Sequence, residues 1–287
     1  MKLDKTGIIK NNQKGLVDLH MHTSASDGTL TPDALMAEIL KERVSLFSVT
    51  DHDSIANSDE IAKLAKANNV DFIPGVEISV TFEGKELHIL TYGAKTEDCV
   101  LSEILRLNQA IRETHNKALV VYACEKYGCV NDYDQYKHVA TRGGWKALNY
   151  LMDKGIISSL TDIFSLIDAF GKPLIFEPFD VVIPKLYELG YLLILAHPPA
   201  YYGGKNLSIE MLDSLIALGI HGIECYSPYY VSQEDESYYL NYCNERSLVI
   251  TCGSDYHGAF IHSRKLAFPA KTMTDVSYDR LKHLIRL

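Results

Sequence analysis

The sequence predicts an α/β fold closed into an irregular barrel, and three observations lead there. Seven short apolar runs rich in β-branched residues recur along the chain, helical patterns separate most of them, and titratable residues gather at the C-terminal ends of the runs. A length of 287 residues allows one large α/β barrel or two small domains, since barrels of about 250 residues are common as single units.

The first run, LVDLH, opens at Leu16. A helix follows over TPDALMAEILKERV, with Thr31 as its cap and Pro32 at a first-turn position. SLFSVT is the second strand, ANSDEIAKLAKANN the second helix, and DFIPGVEISVTF the third strand. Only EGKE, Glu83 to Glu86, separates this strand from LHILTYG, which predicts a hairpin and one antiparallel neighbour in an otherwise parallel sheet. From about residue 95 to 185 the pattern turns helical, including the long VLSEILRLNQAIRETHNKALVVYACEKYG, and exceeds ordinary loop lengths. The expected organisation is a barrel from residues 1–94 and 186–287, with an inserted helical lid subdomain at 95–185. The barrel resumes with YLLILAH, GIECYS and LVITCGS, joined by the amphipathic segments SIEMLDSLIALG and QEDESYYLNYCNERS.

Hydrophobic residues at 47% and charged residues at 23% are ordinary for a soluble globular chain, and no apolar run approaches the ~18 residues of a membrane span. The opening MKLDKTGIIKNNQKG lacks the apolar centre of a secretory signal, so a cytoplasmic location is expected. A net charge of -9 argues against a broad electropositive face, and so against stable binding of duplex nucleic acid. The six cysteines, Cys99, Cys124, Cys129, Cys225, Cys243 and Cys252, contain no CxxC pair and are expected to be reduced, mostly in the core.

In LVDLHMHTSASDG, His20 and His22 alternate along an extended backbone and point to the same side, as a chelating pair would. SVTDHD sets Asp51, His52 and Asp53 at the end of the second strand, GVEIS sets Glu77 in the third, and ELHIL sets His88 in its hairpin partner. LAHP sets His197 at the end of the fifth run, and GSDYHG sets Asp255 and His257 after the last. Barrel enzymes build their sites at the C-terminal ends of strands, so these separate clusters should converge on one mouth. Imidazole and carboxylate donors without thiolate favour Mn first, then Zn or Fe(II), over a Mg or Ca site. The remaining histidines, His115, His138, His221, His262 and His283, read as surface or satisfied polar groups. Glu224, closing GIECYS, reads equally as a ligand or as a carboxylate that orients a ligating histidine.

Together and in this order, DLHMHTSASDG, TDHD, GVEIS, LHIL, AHP and GSDYHG resemble the polymerase and histidinol phosphatase (PHP) family of metal-dependent phosphoesterases. The resemblance covers both ends of the predicted barrel and is weakest over the helical insert. It implies a distorted (β/α)7 barrel, similar to a TIM barrel, with three divalent transition-metal ions at its mouth. Carried over by position, His20, His22, Glu77 and Asp255 would hold one ion. Glu77, His88 and His197 would hold a second with Glu77 bridging, and Asp27, His52 and His257 the third. Clustered ions supply hydroxide near neutral pH and clamp phosphoryl oxygens during in-line displacement. The resemblance therefore implies hydrolysis of a phosphomonoester of a small metabolite or nucleotide, with Asp53, Asp255 and His257 as catalytic candidates.

Relatives with this length and motif set include nucleoside 3',5'-bisphosphate phosphatases, 5'-3' exonucleases that trim oligonucleotides and, more distantly, histidinol phosphatases. A non-catalytic metal-binding module is the contrasting class, and no ligand of the motif set is lost here. The nucleotide phosphatases carry a Gly-Arg-Pro-His-like motif in the insert, whereas the corresponding ATRGGWKALNY keeps Arg142 without the histidine. Tyr230 stands about where those relatives often carry a histidine. Arg142 is the expected grip on a second phosphate, Trp145 either stacks on a base or starts a helix as a core residue, and Arg264 is either a phosphate ligand or a loop charge.

Overall fold

The computed structural model describes residues 15–286; the stretch read above for a leader lies, apart from Gly15, outside the described residues. The chain is a mixed α/β fold with two mixed sheets. The first sheet contains β1 (Leu16–Asp18), β2 (Val44–Phe47), β3 (Asp71–Phe72) and a short last strand, β9 (Lys271–Thr272), in the order β3-β2-β1-β9. The second contains β4 (Gly75–Phe82), β5 (Lys85–Tyr92), β6 (Leu192–Leu195), β7 (Gly222–Tyr226) and β8 (Val249–Cys252), in that order.

Local chemistry explains most boundaries. Helix α1 (Pro32–Lys41) starts where the Thr31 hydroxyl accepts the Ala34 N–H and Pro32 supplies a preset φ. Helix α2 (Ser58–Asn68) ends at Asn69 in the left-handed region, φ 54°. The run DFIPGVEISVTF is two strands in different sheets, because Pro74 cannot donate to a ladder and breaks the run between β3 and β4. The β4–β5 hairpin turns on Glu83 and Gly84, both at positive φ, as a two-residue turn of matching twist requires. That hairpin reverses β5, while β6 runs as β4 does. Strand β5 is therefore antiparallel on both sides, where the sequence predicted one antiparallel neighbour.

Between β5 and β6 lie α3 (Cys99–Tyr127), α4 (Lys146–Asp153), α5 (Leu160–Phe170) and α6 (Phe179–Glu188). The first turns of α3 and all of α6 pack Leu101, Ile104, Phe179 and Ile183 on the outer face of the second sheet. The second half of α3 joins α4 and α5 in a separate apolar cluster around Leu119, Tyr150, Leu151 and Leu166. Helices α7 (Ile209–Ala217) and α8 (Gln233–Glu245) cover β6 and β7, and α9 (Tyr278–Leu281) follows β9. Among the described residues no helix is long and apolar enough to cross a membrane.

Between the two sheets, Val17, Leu19, Leu46, Leu90, Ile194 and Val249 fill one shared interior. At one margin the Leu19 N–H donates to the Cys252 carbonyl and Met21 bridges Tyr256; at the other His52 bridges Glu77. These bridges bring the strand ends of both sheets, and the side chains beyond them, to one place.

Candidate metal centre

The motif residues converge there. His20 and His22 leave the end of β1 on the same side, their Nε2 atoms 3.2 Å apart. Glu77, fully buried on β4, sits at the centre. Its Oε1 lies 3.0 Å from His88 Nδ1 and 3.0 Å from His197 Nε2, while Oε2 lies 3.1 Å from His52 Nδ1, 3.2 Å from His20 Nε2 and 3.3 Å from His22 Nε2. Asp255 Oδ1 is 3.1 Å from His22 Nε2, and Asp27 Oδ1 is 3.3 Å from His257 Nε2.

Three groups of donors are each compact enough to hold a metal ion: His20, His22, Glu77 and Asp255; His22, Asp27, His52 and His257; and His52, Glu77 and His88. The first group is the one the resemblance implied. The second adds His22 to the expected Asp27, His52 and His257, and the third has His52 where His197 was expected, His197 reaching the centre through its contact with Glu77.

Electrostatics fit a cation-binding role. Burial by itself raises the pKa of Glu77, but His52, His20 and His88 around it outweigh burial and hold it well below the usual carboxylate range. Burial opposes charge on His22 and His88 too, yet the carboxylates facing them push both up to about 10. His52 behaves oppositely: burial, reinforced by His22 and His88, takes it down to about 3 and leaves a neutral imidazole. Glu77 Oε2, His52 Nδ1, His88 Nδ1 and His197 Nδ1 are buried without a hydrogen-bond partner of good geometry. Donor atoms normally find partners when buried, so this concentration of orphans fits divalent ions as the missing acids.

Supporting residues set the ligand orientations. Glu224 is fully buried; its Oε1 faces His20 Nδ1 at 3.0 Å and its Oε2 accepts the His197 N–H at 2.9 Å, which makes it an orienting carboxylate here. Asp51 accepts from Thr23 and Ser26, fixing the loop that carries Asp27. Asp53, His197 and Asp255 all have positive φ, 49°, 23° and 50°, a strained backbone at the points where strands give way to the site. Gly253 makes room for two of these groups, since a Cβ there would stand 2.2 Å from His20 Cβ and 2.4 Å from Glu224 Oε1. Gly253→Ala is expected to cost about 1–3 kcal/mol by overpacking, read as a lowered Tm together with weaker metal retention.

The remaining candidates separate. Asp53 Oδ1 accepts from Asn108 at 2.7 Å and from the Ser79 N–H at 3.0 Å, and its Oδ2 faces Arg112 at 3.4 Å, so its carboxylate is occupied by α3 and β4. Trp145 caps α4 beside the cluster, 5.9 Å from the His52 ring. Arg142 is engaged by Asp153 at 2.7 Å and Tyr136 at 3.3 Å and is exposed. Arg264 lies 4.0 Å over the Tyr229 ring, and Tyr229 in turn donates to Asp255 Oδ2 at 2.8 Å. Tyr230 is spent structurally, its hydroxyl on the Glu224 carbonyl at 2.7 Å.

Sequence reasoning missed Arg112. Its guanidinium is held between Trp145 and Phe176, 4.5 and 4.7 Å from their rings, and bonds Ser79 Oγ at 2.8 Å. It also faces Glu86, whose Oε1 contacts His88 Nε2 at 3.0 Å. Arg112, Trp145, Gln109 and Lys146 line a cleft of about 110 Å³ that opens beside His52. A signal was present: Asn108, Gln109 and Arg112 form one polar stripe on a long helix, and Asn108 is fully buried.

The PHP domain family profile matches residues 18–171. The chain is 32% identical over 219 residues to the 5'-3' exoribonuclease Rnm of Escherichia coli, covering 72% of each chain. It is 25% identical over 253 residues to a 3',5'-nucleoside bisphosphate phosphatase of Chromobacterium violaceum, covering 84% of this chain and 87% of that one. A solved structure from Bifidobacterium adolescentis superimposes with a TM-score of 0.75 at 23% identity over 93% of this chain and 94% of that chain, a likeness of fold. With the profile spanning more than half of the chain and the Escherichia coli relative matching 72% of its length, the chain belongs to the PHP domain family.

Proposed function

We propose that this chain, a phosphoesterase of the PHP domain family, removes phosphate from a small nucleotide, with a nucleoside 3',5'-bisphosphate as the favoured substrate and three divalent ions at its centre. The observation that carries this reading is the adjacency of the donor cluster to the Arg112–Trp145 shelf beside His52. A guanidinium suits a second phosphate and an indole suits a base, so one cleft addresses both halves of a nucleotide.

In this reading His20, His22, Glu77 and Asp255 hold one ion, Glu77 and His88 with His52 or His197 hold a second, and Asp27, His52 and His257 hold the third. Mn is the first expectation, with Zn or Fe(II) as alternatives. When bound, such ions acidify water and neutralise charge on phosphoryl oxygens. Glu224 keeps His20 and His197 in register, and the Asp255 carbonyl accepts a hydrogen bond from His257 Nδ1–H at 2.8 Å, leaving its Nε2 free as a metal-ligating atom. Asp53, a catalytic candidate from sequence, acts here as a positioning residue that holds Arg112. Arg264, stacked on Tyr229, offers a further contact for phosphate. The two sheets of the described residues work as one interrupted barrel, and within the insert at 95–185 the second half of α3 with α4 and α5 supplies the substrate-side wall as a lid.

A second reading, release of nucleotides from the 5' end of short RNA, is favoured by the 32% identity to the Escherichia coli exoribonuclease. One experiment separates them: elemental analysis of gently purified protein, with parallel assays on an aryl phosphate, a nucleoside 3',5'-bisphosphate and a short 5'-phosphorylated oligoribonucleotide. Phosphate release from the bisphosphate supports the first reading, and mononucleotide release from the RNA supports the second. A metal-loaded protein that turns over none of them ends both.

Metal loading carries its own signature. Because the carboxylates facing His22 and His88 push both up to about 10, ions that bind there displace protons at pH 7. Calorimetry in buffers of different ionisation enthalpy is expected to show net proton release, saturating at about three ions per chain.

A further inference from the structure

Outside the metal centre, two thiols stand in contact. Cys129 Sγ donates to Cys124 Sγ at 2.7 Å, roughly 0.7 Å beyond a disulfide bond length. Their backbones are held together by the end of α3: Gly128 turns left-handed at φ 70°, and the Cys129 N–H donates to the Cys124 carbonyl at 3.0 Å. Cys124 is buried and Cys129 half-buried, so an oxidant reaches the second while the first waits behind it. Cys225 and Cys243 also face each other, at 3.6 Å, but both are fully buried. Cys99 is exposed, and no sulfur contact to it is seen among the described residues.

We propose that Cys124 and Cys129 are a reversible dithiol–disulfide site that couples oxidation to the tryptophan beside the metal centre. With a low-molecular-weight disulfide such as oxidised glutathione as oxidant, the Cys129 thiolate attacks one glutathione sulfur and expels glutathione thiolate. Cys124 then gives up its proton and attacks the Cys129 sulfur, forming the Cys124–Cys129 bond and expelling the second glutathione. Two protein thiols are oxidised and one glutathione disulfide is reduced to two thiols. The Lys154 ammonium lies 5.3 Å over the Tyr150 ring, and the Tyr150 hydroxyl lies 3.9 Å from Cys124 Sγ.

The consequence runs through Tyr150. Its hydroxyl donates to the Val130 carbonyl and Asp132 Oδ1 and accepts the Asp132 N–H, so it reads the position of the segment just after Cys129. Tyr150 lies on α4, whose first residue follows Trp145, the single tryptophan of the chain. Drawing Cys129 onto Cys124 shifts the partners of Tyr150, and α4 carries that shift to an indole packed on Arg112.

The test is incubation of the whole protein with oxidised glutathione, followed by trypsin and mass spectrometry without reduction. Lys117, Lys126 and Lys137 place the two cysteines in adjacent tryptic peptides, so a bond joins residues 118–126 to 127–137 with loss of two hydrogens. The expected result is that joined pair, a change in Trp145 emission that dithiothreitol reverses, and loss of both in Cys129→Ser. Persistent free thiols at both positions, or glutathione adducts alone, would overturn the proposal. So would the joined pair with unchanged emission, since the coupling would then be missing. Cys129→Ser replaces a half-buried thiol, and its unfolding curve, matched to wild type, excludes misfolding as the cause.

Discussion

Glu77→Gln is expected to lower kcat/KM on the best substrate by about 10³-fold or more, roughly 4 kcal/mol of transition-state stabilisation, while far-UV circular dichroism stays native. The reason is concentration of function on one carboxylate. Five imidazoles, those of His20, His22, His52, His88 and His197, lie within 3.3 Å of its two oxygens. Glutamine keeps the shape but exchanges a negative oxygen for an N–H donor that ligates nothing, so elemental analysis should find at least one ion lost. His138→Ala, which alters a half-buried histidine away from the donor groups, should change neither quantity. Equal effects would break the ligand assignment.

The same variant has a pH signature in the metal-free protein. Folded His88 is raised to about 10 from an ordinary 6.5, so its contribution to stability is complete below about 6.5 and fades as pH climbs through 10. Glu77 is lowered, so its contribution is present above the ordinary carboxylate range and lost in acid. Both are in force between about pH 4.5 and 6.5. The Tm gap between metal-free wild type and Glu77→Gln should be widest there and narrow toward pH 10.

Arg112→Ala should weaken kcat/KM on a nucleoside bisphosphate by about 10- to 100-fold, near 1.5–3 kcal/mol, with metal content unchanged and an aryl phosphate much less affected. Arg142→Ala should do little to either substrate, because its guanidinium is already committed to an exposed carboxylate, Asp153, in a surface pair worth about 0–1 kcal/mol. Removing Arg112 also leaves Asp53 buried with no cation beside it, so the variant should lose about 3–5 kcal/mol of stability and be assayed well below its Tm. Parallel kinetics of the two variants decide which arginine addresses the second phosphate. If Arg142→Ala carries the larger, substrate-selective loss, the assignment returns to the residue the sequence suggested.

The contrast between the two arginines shows what a sequence can and cannot carry. His20, His22, His52, Glu77, His88, His197, Asp255 and His257 were legible because they sit at or beside strand ends, where period-two geometry and barrel topology fix a direction before any coordinate is known. Arg112 was not, since one arginine on a long helix has no register until the helix is docked, and its docking depends on Asp53, Ser79 and Phe176 from other elements. Arg142 looked suitable beside two glycines, but pairing with Asp153 on α4 is a tertiary event that no local pattern announces. Strand β9 is two residues long, too short to have a period. The split at Pro74 was readable in principle, because a proline within a strand pattern argues against one continuous strand.

The placement of donors along the chain also sets when each can form during synthesis. His52, Glu77 and His88 are all present once the β4–β5 hairpin has emerged, whereas the other two donor groups need Asp255 or His257, more than 160 positions further on. A ribosome-bound chain therefore offers at most one chelating group for most of its elongation, and the remaining two become available together near the end. The donors are thereby completed in order: the three-donor group precedes His197, and the full set of carboxylates and imidazoles exists only after Asp255 and His257 have been added.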